Sequence, residues 1–366
     1  MWRLLFCLVW LASRAFGQAP AEPFTVSWLQ GKCVGCKIAA YLDRFQWVSR
    51  SEAWGIGWGS PPPYNYVLVH TVDAGKTWRE LSDTHQYAGP PTFSFLDPSH
   101  GWISCMNVYC AKETDEWGEV RRTSDAGKHW KLITQKAAVL NMAFSDEQHG
   151  IGQAFDVIDN PVVRTTDGGQ TWSKIDIPHL KKVENIFLLS GRTAWAIDHD
   201  VNDLLIFRTI DGGQSWEESR TPLPSDLPEV FEISFVDQNH GWIVLGHKQL
   251  GPNPDDEVRL IGTTDGGRTW ASVPVPLVRS GNWVPRPAVL GFVSDKVGFV
   301  FSTEGGGPPS WNPKSRKVLF TADGGAHWRK YALPFSVSSC QAFDGDLLCS
   351  ADRKGSHFGV LTLHPK

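Results

Sequence analysis

The sequence predicts an all-β protein built as a ring, a seven-bladed β-propeller with four-stranded antiparallel blades. Three observations carry that expectation. An octet, Thr-x-Asp-(Ala/Gly)-Gly-x-(Thr/Ser/His)-Trp, recurs six times in 366 residues. A second hairpin pattern alternates with it. The composition, with 18 Trp, 35 Gly and 24 Pro, is that of a turn-rich, aromatic-packed β protein. Hydrophobic residues make up 41% of the chain and its formal charge is −4, which excludes a disordered chain and leaves no basic surface for nucleic acid.

Each octet has the physics of a hairpin. Its aspartates are Asp73, Asp125, Asp167, Asp211, Asp265 and Asp323, and its tryptophans are Trp78, Trp130, Trp172, Trp216, Trp270 and Trp328. An Asp carboxylate accepts backbone N–H groups across a tight turn, Gly supplies a positive φ, and Trp starts the returning strand. The alternating hairpin runs Phe95-Leu-Asp97-Pro-Ser-His100-Gly101-Trp102, echoed from Phe144 to Ile151 and from Phe235 to Trp242. Weaker copies run from Trp47 to Trp54, Leu188 to Trp195 and Phe292 to Phe299. His100, His149 and His240 hold one place in three different repeats, which fits a turn residue better than a metal ligand.

Two hairpins per unit make four strands, one propeller blade, and the octets fall about 50 residues apart. Six blades carry an octet. The seventh is expected from the tail, with strands at Val337–Phe343, Leu347–Ala351 and Phe358–Leu363. A fourth strand near Phe24–Leu29 would close the ring and leave no sheet edge exposed.

Residues 1–17 have the form of a signal peptide, with Arg3, the apolar run Leu4–Ala12 and Ala15-Phe16-Gly17 before the cut. That run is too short to span a bilayer. Residues 18–366 then form a single domain, exported to a periplasm or the extracellular space. Six cysteines remain, Cys33, Cys36, Cys105, Cys110, Cys340 and Cys349. An even count in an exported chain favours disulfides, and sequence neighbours make the simplest pairs. The motifs place no catalytic residue, metal or cofactor.

The octet is the Asp-box, or BNR repeat, and the chain resembles the photosystem II assembly and stability factors. That resemblance implies an exported, monomeric propeller that binds a protein partner, such as a subunit of a membrane complex, without catalysis. It also implies that the box turns, Asp73 and its equivalents, lie away from the functional face. The loops between the other strands are longer in blades two, five and six, and some present aromatics and arginines on Pro- and Gly-rich backbone. Trp283, Arg286, Trp311 and Arg316 are the candidate partner-binding residues there. Arg122, Arg164 and Arg208 each stand three residues before a box aspartate. They are expected either to bridge neighbouring blades or to form a patch for an acidic partner. Asp198-His-Asp200-Val-Asn202-Asp203 imitates the start of a calcium loop, but it lacks the required Gly and terminal Glu and fits a solvated loop. The alternative function is an exo-sialidase-like glycoside hydrolase. Its arginine triad and Tyr–Glu pair cannot be assembled from the motifs present.

Overall fold

A computed structural model describes residues 23–34, 38–59, 66–81, 91–106, 118–155, 160–223, 229–246, 259–276, 287–302, 317–333, 336–352 and 358–366. The chain opens with β1 (Phe24–Gln30) and β2 (Lys32–Val34). Blade one follows as β3 (Ile38–Trp47), β4 (Ala53–Gly59), β5 (Tyr66–Thr71) and β6 (Thr77–Glu80). Blade two is β7 (Thr92–Phe95), β8 (Gly101–Met106), β9 (Gly118–Thr123) and β10 (Lys131–Thr134). Blade three is β11 (Val139–Phe144), β12 (Gly150–Ala154), β13 (Val162–Thr165) and β14 (Ser173–Lys174). Blade four is β15 (Asn185–Leu188), β16 (Ala194–His199), β17 (Asp203–Thr209) and β18 (Glu217–Pro222). Blade five is β19 (Glu229–Phe235), β20 (Gly241–Gly246), β21 (Arg259–Thr263) and β22 (Ala271–Val273). Blade six is β23 (Pro287–Phe292), β24 (Gly298–Ser302), β25 (Lys317–Thr321) and β26 (Arg329–Ala332). The tail contributes β27 (Ser336–Phe343), β28 (Asp346–Asp352) and β29 (Phe358–Pro365).

The ring closes as the sequence predicts. β1 pairs antiparallel with β29, so blade seven is ordered β27-β28-β29-β1. Phe24 at the head of β1 is buried and meets Phe299 and Tyr331 of blade six edge-on, with ring centroids 5.4 and 5.0 Å apart. One element was not anticipated. β2 runs parallel to β6 as a fifth strand of blade one, with Cys33 opposite Trp78. The N-terminal segment therefore spans two blades across the seam. First strands of successive blades contact one another around a central channel, which places them innermost.

Each box turn is held by the same bonds. In blade three the Thr165 and Thr171 hydroxyls donate to Asp167 Oδ1 and Oδ2 at 2.7 and 2.6 Å. The Thr171 N–H donates to Asp167 Oδ1 at 2.9 Å, and the Gly169 N–H to Thr165 Oγ1 at 2.9 Å. The two residues after the aspartate have positive φ in all six boxes, and Ala74 and Ala126 take that strained region where the other boxes have Gly. The N–H of the first of them donates to a carbonyl in the other turn of its blade, those of Ser51, Ser99, Gln148, Arg192, Asn239 and Lys296. Both kinds of turn therefore share one end of the propeller.

The core is divided by blade junctions. Seven hydrophobic clusters occur among the described residues, one between each pair of neighbouring blades. At four junctions a second-strand Trp stacks on the Phe that ends the next blade's first strand. The pairs are Trp54–Phe95, Trp102–Phe144, Trp195–Phe235 and Trp242–Phe292, at 3.7, 3.6, 3.6 and 3.4 Å between centroids. Each Phe then meets its own blade's box Trp edge-on, as Phe144 meets Trp172 at 5.9 Å and 81°. Each Phe also lies over the Gly that opens the next strand. A Cβ on Gly101, Gly241 or Gly298 would stand 2.4, 2.3 or 2.3 Å from that ring.

Two outcomes follow. Phe24→Ala should lower stability by about 3–5 kcal/mol, because it empties an aromatic site that joins blades six and seven. Denaturant unfolding checks this. The second concerns acid. Burial pushes the Asp265 carboxyl up, but hydrogen bonds from the hydroxyl and N–H of Thr269 and the hydroxyl of Thr263 outweigh it and hold the group at about 2. Asp211, where burial is likewise opposed by Ser215 and Thr209, also falls to about 2. Such carboxylates stay ionised in the fold after the unfolded chain has taken up protons, so their stabilisation is complete above roughly pH 4 and is lost as pH falls towards 2. Melting temperature measured from pH 5 to 2 should fall steeply, and less steeply in Asp265→Asn.

Candidate binding surfaces

The box aspartates are fixtures of the fold, each carboxylate occupied by groups of its own turn. The histidines of the alternating turn are likewise local. His100, His149 and His240 meet Asp97, Asp146 and Asp237 of the same turns through Nδ1 at 2.9, 2.9 and 2.8 Å. Cys340 and Cys349 are bonded and stand opposite each other in β27 and β28. Cys33 and Cys105 are disulfide-bonded too, while Cys36 and Cys110 lie outside the described residues. So do Trp283, Arg286, Trp311 and Arg316, together with residues 1–17.

The three strand arginines are described, and they divide. Each sits cross-strand from the second-strand residue at the junction: Trp102 opposite Arg122, Ile151 opposite Arg164, Trp195 opposite Arg208. Arg122 lies 5.1 Å over the Trp102 ring and pairs with Glu147 in the next blade's turn. Arg208 is buried, reaches Glu217 Oε2 at 3.4 Å and donates to the Gln238 carbonyl of blade five at 3.2 Å. Glu217 also holds Arg268 of blade five at 2.8 Å. These two arginines bridge blades. Arg164 does not. It makes no side-chain hydrogen bond or ion pair among the described residues, and Ile151 offers it no aromatic face.

The break has a local cause. At the junction of blades three and four, Ile151 and Leu188 replace the Trp and Phe of the stacked joints. A groove of about 500 Å³ lies there, lined by Arg164, Arg192, His149, Thr166 and Gln214 among others; the equivalent groove between blades two and three, about 440 Å³, holds the paired Arg122 and Glu147. Arg192, in the turn between β15 and β16, is exposed and its side chain is likewise unpaired among the described residues. The groove's two carboxylates are already engaged: Asp146 by the N–H groups of Gln148 and His149, and Asp211 by those of Gln214 and Ser215. Two guanidiniums, each with five N–H donors in a planar fork, are the unspent groups. Sequence reasoning missed Arg192, whose place in the turn is held by Ser51, Ser99, Gln148, Asn239 and Lys296 in the other box-bearing blades.

A second residue it missed is Glu232 on β19. Its Oε2 accepts the Leu290 N–H of blade six at 2.9 Å, and burial pushes its carboxyl up to about 8 against that single bond. The calcium-like segment is a hydrogen-bonded loop. Asp200 accepts the N–H groups of Asn202 and Asp203, and buried Asp198 those of Lys181 and Lys182. Glu184, Asp198 and His199 bring potential ligand atoms within 4.8 Å of one another, with His199 Nδ1 2.7 Å from Glu184. No helix among the described residues is long and apolar enough to cross a membrane.

Comparison with known proteins fits this architecture. The family model described as sortilin, neurotensin receptor 3, matches residues 160–288, the stretch containing three successive Asp-Gly-Gly boxes. A search of curated proteins finds no match. Among solved structures, YCF48 bound to D1 peptide is 15% identical, covering 95% of this chain and 96% of that one with a TM-score of 0.61. YCF48 from Cyanidioschyzon merolae is 13% identical, covering 92% and 98% with a TM-score of 0.58. An ulvan lyase of polysaccharide lyase family PL25 is 12% identical, covering 90% and 94% with a TM-score of 0.53. At these identities the likeness establishes the fold, a seven-bladed Asp-box propeller, and the fold serves both binding proteins and enzymes.

The division among the arginines is testable. Arg208→Ala should cost about 1–3 kcal/mol, since it strips a buried joint of its donors. Arg164→Ala should change stability by no more than about 0.5 kcal/mol. Paired thermal melts separate the two.

Proposed function

We propose that the protein is an exported, monomeric binding scaffold that takes up a segment of a protein partner, such as a membrane-complex subunit, and has no catalytic activity of its own. The groove between blades three and four, at the box-turn end and not on the opposite face that the resemblance implies, carries this reading, because Arg164 and Arg192 stand in it without side-chain partners among the described residues. Paired guanidiniums in a groove suit carboxylates on an extended chain, with bidentate geometry setting its register. A propeller of the same architecture is described as bound to a D1 peptide, which supports a polypeptide as the ligand class. The Cys340–Cys349 bond suits an oxidising compartment and so supports export. Trp283, Arg286, Trp311 and Arg316 are second candidates, since Trp and Arg are typical interface anchors.

Capture of partners from a solubilised membrane extract, quantified by mass spectrometry, tests this. Immobilised Arg164→Glu/Arg192→Glu should retain about tenfold less of a specific partner than wild type, with unchanged melting. Loss confined to Trp283→Ala/Trp311→Ala moves the binding surface to the loops. Full retention by both variants overturns both surfaces. Turnover of a fluorogenic sialoside that survives purification overturns the scaffold itself.

A further inference from the structure

The central channel widens into a cavity of about 480 Å³ at the box-turn end, a volume within the range of small-ligand sites. Its wall is made by the ends of the first strands of blades four to seven, including Phe187, Leu188, Ile233, Leu290 and Val293. Glu232 is its one inward carboxyl, and Asp344 stands at the rim, paired with Arg50. No Lys, Arg or His lines it.

Glu232 is held without being used up. Oε2 takes the Leu290 N–H, and Oε1 has no hydrogen-bond partner among the described residues. Other junctions tie neighbouring first strands together with neutral amides, from other positions of the strand. Gln46 both accepts from the Phe95 N–H and donates to its carbonyl, at 2.9 and 2.8 Å, and Gln341 accepts from the Trp47 N–H at 2.8 Å. A Gln at 232 could serve the same joint, so a carboxyl there offers something the joint does not require. β15, β19, β23 and β27 are end strands of their sheets, so their inner edges pair with no strand among the described residues and offer backbone carbonyls as well as N–H groups. A carboxyl oxygen without a hydrogen-bond partner among the described residues, with no lining cation and an apolar wall, favours a cation on an aliphatic stem over an anion.

We propose that this cavity binds a primary ammonium group on an apolar stem, as in a lysine side chain, with Glu232 Oε1 as its anchoring acceptor. The site is separate from the arginine groove and does not rest on it. The ammonium enters charged, the Glu232 carboxyl gives its proton to solvent, and the pair forms inside the cavity. The neighbouring elements contribute little competing charge. β15, β20 and β23 carry no titratable side chain, and β27 has only the bonded Cys340 before Asp344. Arg44 of β3 is engaged on the opposite arc of the ring, donating to Asn141 at 3.5 Å.

Calorimetry on the full chain with Nα-acetyl-lysine amide, hexylamine and Nα-acetyl-norleucine amide tests the proposal. The two amines should bind saturably at 1:1 and the norleucine probe should not. A tighter lysine amide indicates a polypeptide ligand, and a tighter hexylamine a free amine. Up to one proton should be released per amine bound, read from enthalpies in two buffers of different ionisation heat, and affinity should rise about tenfold per pH unit below pH 8. Glu232→Gln, which keeps the shape and the Leu290 bond, should lose binding at least tenfold and abolish proton release while melting as a folded protein. Independently, the Glu232 carboxyl 13C resonance should move to its ionised position when the amine is added at pH 7. Equal binding by Glu232→Gln, equal binding of the norleucine probe, or no saturable amine binding at pH 8–9 overturns it.

Discussion

The joint between a second-strand Trp and the next blade's Phe is the interaction on which the ring depends. A four-stranded blade has two apolar faces and can bury neither alone, so each blade must be completed by its neighbours. Trp102 does this twice over. Its ring stacks on Phe144 of blade three at 3.6 Å, and its Nε1 donates to the Gly168 carbonyl in that blade's box turn at 2.9 Å. Trp195 repeats both contacts with Phe235 and Gly266. One side chain thus sets both the spacing of two blades and the place of the turn above them. The box bonds rigidify that turn, and the stack makes its rigidity useful to the neighbour.

This explains which parts of the architecture were legible in the sequence. The octet is a local device, since its aspartate, threonine and glycine bond within five residues, and its recurrence exposed the blades. Phe and Gly in the alternating hairpin also travel together for a local reason. In blades two, three, five and six, where the first strand ends in Phe, the next opens with Gly101, Gly150, Gly241 or Gly298, and where it ends in Trp47 or Leu188, Ala53 or Ala194 suffices. Blade seven was legible by counting and by its three tail strands. β2 was not, because three residues pairing in parallel with a strand more than forty positions away leave no alternation to read.

The candidate sites were less legible, for a related reason. Recurrence shows that a position matters to the repeat, but the partner lies one blade on. Arg122, Arg164 and Arg208 share a register, yet Glu147 meets the first, Glu217 and Gln238 the third, and nothing comparable the second. The informative residue was Ile151, which replaces the Trp that would have covered Arg164. A departure from the repeat, rather than the repeat, marks the unpaired arginine. Glu232 is a charged side chain that bridges two first strands, where Gln46 and Gln341 do so from other positions at other junctions. The long loops with Trp283, Arg286, Trp311 and Arg316 lie outside the described residues, so their convergence rests on composition alone.

The arginine groove therefore lies where the ring's own rule is relaxed, and the Glu232 site where it is kept. A fully zipped propeller spends its aromatic, arginine and amide side chains on neighbouring blades and leaves little unsatisfied chemistry on the box end. Relaxing one joint costs part of one cluster, and six others remain to hold the ring. At blades three and four the relaxed joint leaves two guanidiniums facing a groove. At blades five and six the Trp242–Phe292 stack persists at 3.4 Å, so a buried carboxyl can be carried beneath it without opening the junction. The two sites have opposite charge character and share one end of the molecule. A partner presenting both an acidic segment and a nearby ammonium would complete both. Asp-box turns hold that end rigid, which limits the entropy lost when a ligand docks against it.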